Sequence, residues 1–194
     1  GGHLVLTGEY SDANATSRTR QRPDAIAFQA ANPAIAVPDP VQHWGNPEFK
    51  ALKFALDAAK SLGGNLEGYA FGTFAHTSGI SDINWRNPSA NPNIFGQTSI
   101  FPGFDLKTIY PAGFTPREGI RANDGQAVAG IRSNGGGAFT WDLSGSYGTN
   151  DSRFVLQNSI NASLGPNSPF DFNLGHQIQR EFNLNADGVY RLDL

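Results

Sequence analysis

The sequence predicts an all-β fold: an antiparallel transmembrane β-barrel fragment of about six strands, with short periplasmic turns and long extracellular loops. Three observations predict it. Apolar and polar residues alternate with period two in several stretches, Gly-rich tight turns alternate with long polar connections, and no apolar run approaches the ~20 residues of a membrane helix. The third observation excludes helical spanning but not a barrel, whose strands carry apolar groups on one face only. The 194 residues hold 14 Lys and Arg against 17 Asp and Glu, a formal charge of -3, which favours neither a nucleic acid nor a polybasic contact with a membrane surface. With no Cys, neither a disulfide framework nor a thiolate metal site is available. With no Met either, the chain reads as a mature segment or a fragment.

The first strand is expected at 2 to 12, where Leu4, Leu6, Gly8 and Tyr10 oppose His3, Val5, Thr7 and Glu9. The second, 49 to 62, admits two readings. Asn46 as N-cap, Pro47 at the first helical position, Glu48 in the first turn and Gly63 as C-cap form a helix signature. Yet Leu52, Phe54, Leu56 and Ala58 alternate with Lys53, Ala55 and Asp57, and a strand here would form a hairpin across Gly63 and Gly64. The hairpin is preferred, because the remaining five strands need a sixth to make three pairs.

The third strand, 65 to 77, sets Tyr69, Phe71, Thr73 and Ala75 against Gly68, Ala70, Gly72, Phe74 and His76. Strands follow at 125 to 133, with Ala127, Ala129 and Ile131 on one side, and at 138 to 149, with Phe139, Trp141, Leu143 and Tyr147 opposing Thr140, Asp142, Ser144 and Ser146. The last, 175 to 193, sets Phe182, Leu184 and Ala186 against Glu181, Asn183, Asn185 and Asp187. Leu143, Tyr69 and Leu184 are expected to face lipid. Turns at 61 to 65 and 133 to 137 alternate with connections at roughly 13 to 48, 79 to 124 and 149 to 174. Loops beyond ~15 residues are uncommon in compact domains, whereas short turns on one side and long loops on the other are the habit of outer-membrane barrels. A soluble β-sandwich, carbohydrate-binding or adhesive, would show the same alternation with its apolar face turned inward.

Several stretches resemble the TonB-dependent receptors of the bacterial outer membrane. They are "HWGNPEF", "NLEGYAFGTFAHTSG" leading to "NWRNP", "TIYPAGFTPREG", and above all "WDLSGSYGTND" followed by "NSINASLGPNSP". Their order and spacing look like the middle of such a barrel, and the likeness covers most of the chain from about residue 42. The resemblance implies a wall segment of a barrel of about 22 strands, with 1 to 194 as a partial barrel domain. Nothing in the chain matches the family's plug, and "RLDL" lacks the terminal aromatic usual in barrel proteins. The implied function is energised uptake of a scarce nutrient such as a siderophore, cobalamin or an oligosaccharide. The implied partners are the TonB-ExbB-ExbD coupling complex, acting through a plug outside this chain, the remainder of the barrel, and outer-membrane lipid with lipopolysaccharide.

The loops carry the candidate ligand-binding residues. "SRTRQRP" places Arg18, Arg20 and Arg22 at alternate positions, so an extended chain would present three guanidinium forks to a carboxylate or phosphate. "HWGNP" and "NWRNP" add His43, Trp44, Trp85 and Arg86, aromatic planes beside polar groups that suit a sugar or a chelate. A solvated loop and interfacial tryptophans are the plainer alternatives. The Pro- and Phe-rich stretch "IFPGFDLKTIYPAGFTP" reads as a loop packed on itself. His3, His43, His76 and His176 lack the spacing of a metal site, no nucleophile motif is present, and neither catalysis nor a cofactor is expected.

Overall fold

A computed structural model describes residues 1–96 and 100–192. Six antiparallel strands form one sheet in chain order: β1 (Gly2–Ala13), β2 (Glu48–Gly63), β3 (Leu66–Asp82), β4 (Arg117–Ser133), β5 (Phe139–Gln157) and β6 (Phe172–Tyr190). Among the described residues, two helices, α1 (Pro23–Ala31) and α2 (Pro92–Phe95), and two short 3-10 segments lie in the connections. Among the described residues no helix is long and apolar enough to cross a membrane, a fact that does not bear on strands. The sheet is open, and β1 and β6 each have one unpaired edge.

Residues 49 to 62 form a strand. The helix-capping signals are local, whereas β2 finds a ladder on both sides, pairing from Lys60 to Phe49 with β1 and from Glu48 to Gly63 with β3. Short helices gain most of their stability from packing, and here both flanking ladders stabilise the extended form instead. The capping residues take other work. Gly63 ends β2, paired with Leu66 across a two-residue turn in which Gly64 and Asn65 hold φ of +57° and +61°, the left-handed pair that a type I′ turn needs. Asn46 exchanges hydrogen bonds with Thr16, its carbonyl accepting from Thr16 N and its N–H donating to Thr16 Oγ1, both at 3.1 Å.

Four strands extend beyond their expected ends in the long connections. β3 continues to Asp82, β4 begins at Arg117, β5 continues to Gln157 and β6 begins at Phe172, so these connections shorten to 14–47, 83–116 and 158–171. At its far end β6 stops at Tyr190, short of the expected 193, which lies outside the described residues. In these extensions charged and polar residues occupy both faces, as in Arg117, Glu118, Arg121, Asp151, Ser152 and Arg153. Alternation disappears there, while the backbone ladder, which does not depend on it, persists. The asymmetry remains: the three long connections leave one end of the sheet, and the two tight turns close the other.

Directly opposed residues share a face, so the register defines two surfaces. On one, Leu6, Leu56, Gly72, Ala127, Tyr147 and Phe182 form a continuous row from β1 to β6, and Leu4, Ala58, Ala70, Ala129, Gly145 and Leu184 form the next. On the other, Glu9, Lys53, Ala75, Asp124, Asn150 and Gln179 form a row. Leu143 and Leu184 lie on the apolar face as expected. Tyr69 does not: it opposes Gly130, which opposes Ser144, on the polar face. Strand β3 divides its aromatics between its two sides, Tyr69 and Phe71 against Phe74, and only the register with its neighbours separates them.

Among the described residues, nothing covers the apolar face. Leu6 is 70% exposed, Phe182 66% and Leu184 76%. A sandwich requires a second sheet against this surface, and the described residues form a single sheet. The larger buried side chains cluster in the connections instead. Ala25 and Phe28 of α1 pack with Val41 and Trp85, and Phe95 of α2 packs with Leu106 and Phe114. The second cluster gathers Phe104 and Tyr110, so the stretch from 100 to 116 packs on itself as its composition suggested.

Candidate functional site

The three long connections meet the ends of β2, β3 and β4 around a cleft of about 540 Å³, lined among others by Thr16, His43, Asp82, Tyr110, Arg117 and Asn158. Asp82, the last residue of β3, is its electrostatic centre. One carboxylate oxygen, Oδ2, accepts from the His43 backbone N–H at 2.8 Å and lies 3.0 Å from His43 Nδ1. The other, Oδ1, lies 3.6 Å from Arg117 Nε. The Asp82 side chain is 15% exposed, against 59% for His43 and 39% for Arg117, so the carboxylate is sheltered while both of its basic partners reach solvent. Tyr110 and Phe114 stack at 4.5 Å between centroids on the apolar side. The Tyr110 hydroxyl donates to Asn158 Oδ1 at 3.2 Å, and burial, followed by the nearby Asp171, raises its pKa above the usual phenol value.

Of the residues singled out from sequence, His43 lines this cleft with its ring half in solvent, and Trp85 contributes to its wall. Trp85 is 5% exposed, packs edge-on against Phe28 at 6.0 Å, and donates from Nε1 to the Ala112 carbonyl at 3.1 Å. It holds loops together. Arg22 is likewise engaged. It grips Asp24 through Nε and Nη2 at 2.9 and 3.0 Å and donates from Nη1 to Gln42 Oε1 at 3.1 Å. That pairing lowers the Asp24 pKa, the hydrogen bonds from Arg22 being the main cause, and raises that of Arg22 in return.

Arg18 and Arg20 are exposed and make no ion pair or hydrogen bond among the described residues. Between them Thr19 ties the segment to Trp44, its hydroxyl accepting from Trp44 N at 2.6 Å. Trp44 stays 55% exposed, and Arg86 forms an isolated antiparallel bridge with Phe114. The seven candidates therefore divide. Arg18, Arg20, Trp44 and His43 present side chains to solvent at the loop end of the sheet, Arg22 and Trp85 are built into the packing, and Arg86 is half-buried at its backbone bridge to Phe114.

Sequence reasoning missed Asp82, Arg117 and Gln42. Asp82 sits in "GISDIN", where no spacing marks it, and Arg117 lay in an expected loop. Gln42 is fully buried, and its Oε1 accepts from both Arg22 and the Trp85 N–H, joining three segments. Among the described residues no group of three His, Cys, Asp or Glu could hold a metal ion. The cleft therefore offers a carboxylate with an imidazole and a guanidinium paired to it, beside aromatic edges, groups that suit a polar small molecule. Comparison with protein-family models, with curated proteins and with solved structures finds no match. Fold and site together define an all-β protein with one open antiparallel sheet and loops gathered at one end.

Proposed function

We propose that this chain is part of the wall of a bacterial outer-membrane β-barrel, of the TonB-dependent receptor kind, with its long connections outside the cell. One observation carries the reading: a six-stranded sheet leaves a whole apolar face uncovered while its large buried side chains cluster in the loops. Monomeric soluble proteins rarely expose contiguous apolar surface of such extent. From Phe139 to Thr149 the apolar rows cover about ten residues, which at ~3.4 Å each and a tilt of ~40° span about 25 Å, the height of a barrel's apolar band. The unpaired edges of β1 and β6 would be closed by the remainder of the barrel, because open edges do not persist in hydrocarbon.

In this reading the loop cleft and the exposed Arg18, Arg20 and Trp44 sample a small-molecule or glycan ligand, and uptake is energised by the TonB-ExbB-ExbD complex through a plug domain. The test is fractionation of the native protein. It should sediment with outer membranes and require detergent for extraction. Release into buffer alone would overturn the proposal in favour of a soluble carbohydrate-binding or adhesive β domain.

A further inference from the structure

The tight connection between β4 and β5 runs through Asn134, Gly135, Gly136, Gly137 and Ala138. Asn134 is the one Asn in the sequence that a Gly follows, and it is exposed. Its backbone N–H donates to the Asn65 carbonyl at 2.6 Å, and its Nδ2 lies 3.4 Å from Glu67 Oε2, longer than a good hydrogen bond. The next N–H along, that of Gly135, has no hydrogen-bond partner among the described residues. The glycines around it stand in open space. A Cβ on Gly136 would meet nothing within 4 Å, and one on Gly137 only the Phe139 carbonyl at 3.9 Å.

We infer that Asn134 is a self-modification site, converted with the help of the Gly135 nitrogen to aspartate and isoaspartate. The Gly135 nitrogen attacks Asn134 Cγ and closes a cyclic imide. The Cγ–Nδ2 bond breaks, and Nδ2 leaves as ammonia with the proton that the Gly135 nitrogen gives up. Water then opens the imide at Cγ, which leaves aspartate, or at the backbone carbonyl, which leaves isoaspartate; no electrons change hands. Two features favour the step here. Glycine has no Cβ to obstruct ring closure, and its backbone turns freely. The site also lies outside the ladder, whereas an extended strand with ψ of about +135° holds the next nitrogen away from the side chain. Asn150, Asp124–Gly125 and Asp187–Gly188 all sit within strands and are shielded in that way. Either product sets a carboxylate against Glu67, whose Oε1 Arg132 already holds at 2.8 and 2.6 Å. The turn gains a like charge beside Glu67, and in isoaspartate an extra backbone atom. The inference is independent of whether the sheet lies in a membrane.

The experiment incubates the intact folded protein in mildly alkaline buffer, digests it with trypsin and follows by mass spectrometry the peptide from Ser133 to Arg153, which carries Asn150 as an internal control. The peptide should gain the mass difference between a hydroxyl and an amino group at Asn134, in two chromatographic forms, one of them a substrate for isoaspartyl methyltransferase. Asn150 should keep its amide. Gly135→Ala should slow the conversion several-fold, while Gly136→Ala, which removes a neighbouring glycine and leaves the attacking nitrogen alone, should convert at the parent rate. Asn134→Gln should abolish it, and this variant carries the test if alanine at Gly135 disturbs the turn, where a Cβ would fall 3.0 Å from the Asn65 amide nitrogen. Conversion shared equally by Asn134 and Asn150, or a parent rate in Gly135→Ala, would overturn the inference. Equal slowing by Gly136→Ala would trace the reaction to loop freedom instead of the Gly135 nitrogen, and conversion seen only after unfolding in urea would show that the folded turn protects Asn134; either would also overturn it.

Discussion

Two residues show how local chemistry fixes the loops and the polar face. Gln42 carries no charge and no motif, yet its Oε1 is the common acceptor for the Arg22 guanidinium and the Trp85 backbone N–H, while its Nε2 has no partner. Leucine at this position would fill similar volume and orphan the buried Trp85 N–H, at a cost of about 1 to 3 kcal/mol, and would release the half-buried Arg22 guanidinium from its acceptor. Gln42→Leu should therefore accelerate hydrogen exchange in 22 to 41 and around Trp85 while the strands keep their protection; unchanged exchange in the loops would refute the assignment. On the polar face, Tyr69 lies over Gly130, where a Cβ would fall 2.6 Å from the ring and 2.8 Å from the Leu143 carbonyl. That close approach lets the Tyr69 hydroxyl donate to Asp142 at 2.7 Å and the ring sit 5.1 Å below the Arg132 guanidinium, which in turn grips Glu67. Gly130→Ala should displace the ring and break the Tyr69–Asp142 bond. Adding Tyr69→Phe to Gly130→Ala should then cost less than Tyr69→Phe costs in the parent, because the hydroxyl's partner is already lost. Additive midpoint shifts in this double-mutant cycle would show the two residues to be independent.

Individual strands obey the alternation of their sequences, and the failures are instructive. β1, β5 and β6 each place a clear apolar side on one surface, and Leu143 and Leu184 are found where periodicity predicted them. β3 carries aromatics on both sides, so Tyr69 could be placed only by pairing, a non-local property that no window of sequence contains. β2 shows the converse: its capping signals were real, but a ladder on each flank outweighed them. The ends of β3, β4 and β5 were illegible because polar residues on both faces erase the period without weakening backbone pairing. In the loops, the self-packing of 100 to 116 was legible from its Phe and Pro content, whereas the Asp82 and Arg117 pairing depends on two strand ends meeting in space. The face assignment has a direct check. If the apolar face meets lipid as proposed, arginine on that face should cost about 2 to 4 kcal/mol near the midplane and little on the opposite side. Leu143→Arg should accordingly reduce assembly in the membrane, while Ser144→Arg, its neighbour on the polar face, should assemble at close to the parent level. Equal tolerance would mean that the faces are reversed or that neither meets lipid.

At the scale of the whole molecule, the sheet and the loops divide the work. Among the described residues the sheet has no covering layer and two unpaired edges, so on the barrel reading its stability would depend on surroundings that supply both apolar contact and further strands. The loops have their own buried clusters around Trp85 and Phe114 and hold their form at one end of that wall. Binding and anchoring should therefore be separable. Arg18 and Arg20 engage no carboxylate among the described residues, unlike Arg22, and stand free to meet a ligand's anionic groups. On the proposed receptor reading, replacing both by Ala in the intact protein should weaken an anionic ligand by about 1.5 to 3 kcal/mol for each charge-assisted hydrogen bond lost, with membrane assembly unchanged and a neutral ligand unaffected. Arg22→Ala should behave differently, loosening the segment around Asp24 and Gln42 and weakening both kinds of ligand if they rest on the same loops. If the chain is part of an energised receptor as proposed, removing the coupling complex should abolish uptake while leaving surface binding at its parent affinity, since the ligand would enter at the loop end and energy would arrive at the end of the tight turns. Uptake that persists without the complex would make a passive pore the better account of the same wall.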